Sequence, residues 1–76
     1  MRFKVLSSLR TPLGDTYLVE LNGQRFIVIK EGESVRVLSE LFPSEENLKT
    51  LKEGKLPPLV VDVKDPELRS FFLYNL

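Results

Sequence analysis

Three acidic residues near the carboxyl end are the first candidates for chemistry in this sequence. Asp62, Asp65 and Glu67 carry carboxylate oxygens, which are the ligands that hard divalent cations prefer. In an extended segment, however, Asp62 and Asp65 point to opposite faces, and no oxygen-rich loop of the usual spacing surrounds them. We therefore predict that this segment holds no metal ion.

Composition removes most other kinds of catalytic site. The chain of 76 residues has no cysteine and no histidine, which excludes disulfides, thiol chemistry, Ser-His or Cys-His relays and the usual zinc ligand sets. Its 11 basic and 11 acidic residues give zero net charge, without the basic cluster that nucleic acids or anionic membranes attract. No stretch reaches the apolar length of a signal core or a membrane span. We expect one cytoplasmic domain over residues 1–76, with no cofactor and with neither nucleic acid nor membrane as a partner.

The elements that must position the remaining residues begin with two strands. Residues 3–9 alternate loosely, with Phe3, Val5 and Leu9 on one side, as in a half-buried strand. A turn with a proline and a glycine follows, and a second strand covers residues 16–21.

Asn22-Gly23 is the strongest local signal. It separates the second strand from a third apolar run, residues 24–30, and this dipeptide is typical of a two-residue type I′ hairpin. The register that follows sets opposite charges against each other and places apolar pairs on both faces of the sheet, so both faces should be at least partly covered. The predicted pairs are Leu21 with Gln24, Glu20 with Arg25, Val19 with Phe26, Leu18 with Ile27, Tyr17 with Val28 and Asp15 with Lys30.

The second half of the chain contains one clear helix. Ser44 is a suitable N-cap and Glu45 and Glu46 supply first-turn acids for a helix over residues 45–53. Before it, residues 35–38 fit either a short returning strand or the start of a helix.

Two more strands are predicted after the helix. Pro57-Pro58 ends the helix, and residues 59–63 follow as a strand rich in β-branched side chains. Asp65-Pro66-Glu67 makes a turn, and residues 70–76 form a last, apolar strand. The predicted fold is α+β, a five-stranded antiparallel sheet with one main helix. If residues 35–38 are a strand, a small β-barrel-like domain with a short helix is the alternative.

The order of these elements resembles the small N-terminal lobe of eukaryotic-type protein kinases. Val28-Ile29-Lys30, preceded by Ile27, is similar to the V-A-I-K motif that ends the third strand of that family. Gly14 matches the last glycine of its G-x-G-x-x-G loop, and Tyr17-Leu18-Val19 resembles the segment after that loop. Leu56-Pro57-Pro58-Leu59-Val60 is similar to the approach to the fourth strand, so the resemblance covers most of the chain.

The resemblance implies a phosphate site at Lys30 and Gly14, with Glu45 or Glu46 as the acidic partner of Lys30. Leu9 and Thr11 stand where the first two glycines belong, so the loop that cradles phosphates is lost or reshaped. An ion pair between Lys30 and Asp15 is the simpler interpretation, which we favour. The catalytic loop and the metal-binding motif of the family are missing from the sequence.

The expected function is therefore that of a non-catalytic interaction module, with at most weak ATP binding. A nucleotide-binding or regulatory subunit that completes an active site with another chain is the alternative. The C-terminal half offers more apolar surface than one short helix bearing Leu48 and Leu51 can cover, which favours a homodimer or docking onto a protein partner. The predicted interface residues are Phe71, Phe72, Tyr74 and Leu76.

Overall fold

A computed structural model describes residues 2–39, 42–55 and 59–76. The described residues form five strands, β1 (Phe3–Thr11), β2 (Gly14–Leu21), β3 (Gln24–Glu31), β4 (Ser34–Leu38) and β5 (Val60–Asp62). They also form two helices, α1 (Glu45–Glu53) and α2 (Pro66–Asn75). The strands form one antiparallel sheet in the order β1-β2-β3-β4-β5, which confirms the predicted α+β fold. The sheet is open, with β1 and β5 at its edges, so the barrel-like alternative is wrong. The predicted breaker Pro57-Pro58, and Leu56 before it, lie outside the described residues.

The hairpin between β2 and β3 has the predicted turn and register. Asn22 and Gly23 have φ angles of 51° and 81°, the positive values that a type I′ turn needs at both positions. Every predicted pair from Leu21 with Gln24 to Asp15 with Lys30 is present. Because the side-chain period of a strand is two, this register fixes which face of the sheet each residue occupies.

Each face of the sheet carries its own apolar cluster, as the register predicts. The face under α1, here the α1 face, buries Leu18, Ile27, Leu48 and Leu51. The opposite face, here the α2 face, buries Val19, Val28, Val35, Val63 and Phe72.

A bulge in β1 changes the assignment of its residues to faces. The register shifts between Val5 and Ser7, so residues on either side of the shift no longer alternate in step. Phe3 packs against the α2-face cluster, whereas Leu9 packs against the α1-face cluster. The prediction that Phe3, Val5 and Leu9 share one side is therefore wrong for Leu9.

The undecided segment is a strand, and the helix after it is confirmed. Residues 35–38 belong to β4, which pairs directly with β3. A strand therefore follows Lys30, where the order taken from the kinase resemblance has a helix. α1 has the predicted bounds: the hydroxyl of Ser44 accepts a hydrogen bond from the amide of Asn47 at 3.2 Å, and Gly54 ends the helix with φ of 71°.

The predicted last strand is a helix. The carboxylate of Asp65 accepts a hydrogen bond from the amide of Glu67 at 3.0 Å, and Pro66 occupies the first turn, so the segment taken as a turn is a helix start. Neither described helix is long and apolar enough to cross a membrane. The apolar residues of α2 and its C-cap recur at helical spacing and pack in or against the α2-face cluster: Leu68, Phe71, Phe72 and Leu76.

Candidate functional site

Lys30 lies on the α2 face, where its side chain contacts α2. Its ammonium group donates a hydrogen bond to the carbonyl oxygen of Leu73 at 3.4 Å. Asp15 is opposite Lys30 in the register, but its carboxylate accepts a hydrogen bond from Arg10 at 2.9 Å. The predicted ion pair between Lys30 and Asp15 is therefore replaced by two separate contacts.

Gly14 is buried at the hairpin that joins β1 to β2. Its φ is 133°, and a Cβ atom there would lie 2.9 Å from the carbonyl oxygen of Lys30. The carbonyl of Gly14 accepts a hydrogen bond from the Thr16 hydroxyl at 3.1 Å. The glycine thus permits close approach of two backbones.

Glu45 and Glu46 lie in the first turn of α1, whose apolar side packs on the face opposite Lys30. Glu45 borders a cleft of about 420 Å³ together with Arg25 and Ser44, whereas Lys30 reaches α2. The structure does not bring either acid to Lys30, so the pairing that the resemblance implies is absent.

The polar groups of the α1 face hold the β1–β2 turn. The hydroxyls of Thr11 and Thr16 are buried and lie 2.9 Å apart. Arg36 reaches from β4 to donate a hydrogen bond to the carbonyl of Leu13 at 3.3 Å, while its buried Nε has no partner among the described residues. No sequence pattern indicated this contact, because it joins residues 23 positions apart.

Charged groups elsewhere form exposed pairs. The hydrogen bond from Arg10 to Asp15, together with the charge of that carboxylate, raises the pKa of the Arg10 guanidinium above its ordinary value. Arg25 and Glu20 form the predicted cross-strand pair at 3.4 Å. In residues 2–39, 42–55 and 59–76, no three acidic side chains gather where a metal ion could bind.

The four predicted interface residues, three in α2 and Leu76 at its C-cap, occupy different environments. Phe72 is completely buried, and its ring lies 6.5 Å from that of Phe26. Phe71 and Leu76 are half-buried against the same cluster, whereas Tyr74 is 89% exposed. A second helix therefore covers most of the apolar surface that one helix could not, and only Tyr74 of the four projects into solvent.

Apolar side chains remain exposed at the β5 edge of the sheet. Leu59 is 52% exposed and Val61 is 39% exposed, and we call these two residues the β5 patch. Val61 is paired with Val37, which packs against the α2-face cluster, so the patch continues that face beyond α2. The sequence predicted a strand here but carried no signal that the strand lies at an edge.

No family model matches the chain, and no curated protein or solved structure is significantly similar to it.

Proposed function

We propose that this chain is a non-catalytic interaction module that associates with a second copy of itself through apolar surface on its sheet. The observation that carries the proposal is the β5 patch, where Leu59 and Val61 extend the apolar α2 face into solvent beyond α2. Contiguous exposed apolar surface at a sheet edge favours association with another chain. The burial of Phe72 moves the expected contact from the C-terminal segment to this edge.

The charge distribution is consistent with a protein partner. Equal numbers of acidic and basic residues leave the chain without long-range attraction to a polyanion. The salt bridges among the described residues pair several of the charges locally, as Arg10 does with Asp15. Apolar contact is then the main source of affinity that the described surface offers.

The arrangement of the former candidate residues supports a non-catalytic role. Lys30 is bonded to the backbone of α2, and Gly14 is buried against Lys30 itself. The composition, which lacks cysteine, is compatible with the reducing cytoplasm in which we place the module.

Sedimentation equilibrium from micromolar to millimolar concentration tests the proposal. We expect the weight-average mass to rise from 8.8 kDa towards twice that value. A mass that stays at 8.8 kDa over the whole range would overturn self-association. ATP turnover by the purified chain that disappears in Lys30→Ala would overturn the non-catalytic assignment.

A further inference from the structure

The outward backbone groups of β5 follow from its hydrogen bonds to β4. The amide of Ser39 donates to the carbonyl of Leu59 at 3.3 Å, and the amide of Val63 donates to the carbonyl of Val35 at 3.0 Å. Residues 59, 61 and 63 therefore direct their backbone groups towards β4. Because these directions alternate along an antiparallel strand, Val60 and Asp62 direct their amide and carbonyl groups away from the sheet.

We propose that two copies of the chain pair β5 with β5 around a twofold axis at Val61. This contact between the two β5 strands, here the β5 seam, joins the two sheets into one. This inference rests on the proposed self-association and names its surface. Antiparallel pairing centred on Val61 sets Val60 opposite Asp62 of the second copy, so the outward groups of both residues can exchange hydrogen bonds. The axis is perpendicular to the sheet, so the α2 faces of the two copies lie on the same side.

The side chains along this seam are also self-complementary. Val61 meets Val61 of the second copy, and Leu59 lies opposite Val63, a buried member of the α2-face cluster. The exposed side chains of each β5 patch are thus covered by the other copy. On the other face of the strand, Asp62 faces Val60 of the second copy rather than another carboxylate. The pairing thus satisfies backbone groups and covers the β5 patch without opposing like charges.

The other edge is less suited to pairing. β1 is nine residues long, but the bulge between Val5 and Ser7 interrupts the alternation of its outward groups. It also carries two cationic residues, Lys4 and Arg10, and charged residues and bulges are the features that protect edge strands from pairing. The structure therefore favours pairing through β5 rather than through β1. Because β5 is short, the contact buries little surface and the dimer is expected to be weak and transient.

Matched charge substitutions at the two edges test the inference. Val61→Lys places like charges against each other at the twofold axis, and we expect the dimer dissociation constant to rise by at least about tenfold. Val5→Lys is the control, because Val5 is also an exposed valine on an edge strand, at 47% against 39% for Val61. It should leave the dissociation constant unchanged, and circular dichroism should show both variants folded.

Disulfide trapping gives a second readout that does not depend on weakened binding. Directly opposed residues in a non-hydrogen-bonded antiparallel pair have Cα atoms about 4.5 Å apart, within the range of a disulfide. The chain has no other cysteine, so mild oxidation of Val61→Cys should yield a covalent dimer, and Val5→Cys should not.

The possible outcomes separate the two proposals. Wild-type association that persists in Val61→Lys, or is lost in Val5→Lys, overturns the β5 seam and leaves the interaction module intact. Absence of a covalent dimer from Val61→Cys at concentrations where the wild type associates also overturns the seam. A strictly monomeric wild type overturns both.

Discussion

Replacement of Gly14 by alanine tests how closely β2 and β3 approach at the Lys30 end of the sheet. A Cβ atom at Gly14 would lie 2.9 Å from the carbonyl oxygen of Lys30 and 3.3 Å from the Cβ of Glu31. Both neighbours belong to the backbone or its first side-chain atom in β3, so no rotamer change can relieve the contact. The φ of 133° adds strain for any residue with a Cβ.

The backbone strain and the steric contact together set the expected loss in the free energy of unfolding. A non-glycine residue in a sparsely populated backbone region costs about 1–3 kcal/mol, and overpacking costs about 1–3 kcal/mol. We therefore expect Gly14→Ala to lower the free energy of unfolding by about 2–6 kcal/mol, which is a large part of the 5–15 kcal/mol typical of natural domains. Urea denaturation followed by circular dichroism measures the change.

Gly32→Ala is the matched control. Gly32 also has a positive φ, 59°, but a Cβ there would meet nothing within 4 Å. This substitution carries only the left-handed strain of about 1–2 kcal/mol. If Gly14→Ala is no more destabilising than Gly32→Ala, the steric argument is refuted.

Three further pairs of substitutions test the core, the hairpin and the helix cap by the same denaturation assay. Phe72→Ala should cost about 3–5 kcal/mol because the ring is fully buried, whereas Tyr74→Ala should stay within about 0.5 kcal/mol, and equal effects would contradict the packing of α2. Asn22→Val should cost about 1–2 kcal/mol because φ is 51°, and Asn22→Gly should not; a tolerated valine would argue against the type I′ turn. Ser44→Ala should cost about 1 kcal/mol and Ser44→Asp nearly nothing, and an unchanged alanine variant would show that the cap is dispensable.

Local rules predicted the hairpin and α1 correctly. The Asn22-Gly23 turn fixes its own conformation, and the register of β2 and β3 follows from it without reference to distant residues. Ser44 and Gly54 likewise mark the two ends of α1 within one or two residues. Such features depend on a few neighbouring positions, so the sequence alone is enough to predict the hairpin register and the bounds of α1.

The errors arose where composition and local signals disagree or where distant contacts decide. The run over residues 70–76 has the apolar composition of a strand, but the cap at Asp65 and the proline after it start a helix. The bulge in β1 has no local signature, so strand alternation alone predicts the wrong face for Leu9. The partner of Lys30 is Leu73, 43 positions away, and it depends on where α2 docks.

The sequential order of the strands has a consequence for how fast the chain folds. Each strand pairs with its neighbour in the sequence, and β1 to β4 are joined by turns of only two residues. Short loops close at low entropic cost, and chains dominated by such near-neighbour pairings fold faster than β-sandwiches of the same size. The connection between β4 and β5 is longer because it contains α1. The pairing of β5 with β4 therefore costs more chain entropy than the pairing of any other two neighbouring strands. We expect refolding within about milliseconds in stopped-flow experiments, with substitutions in β5 acting mainly on the unfolding rate.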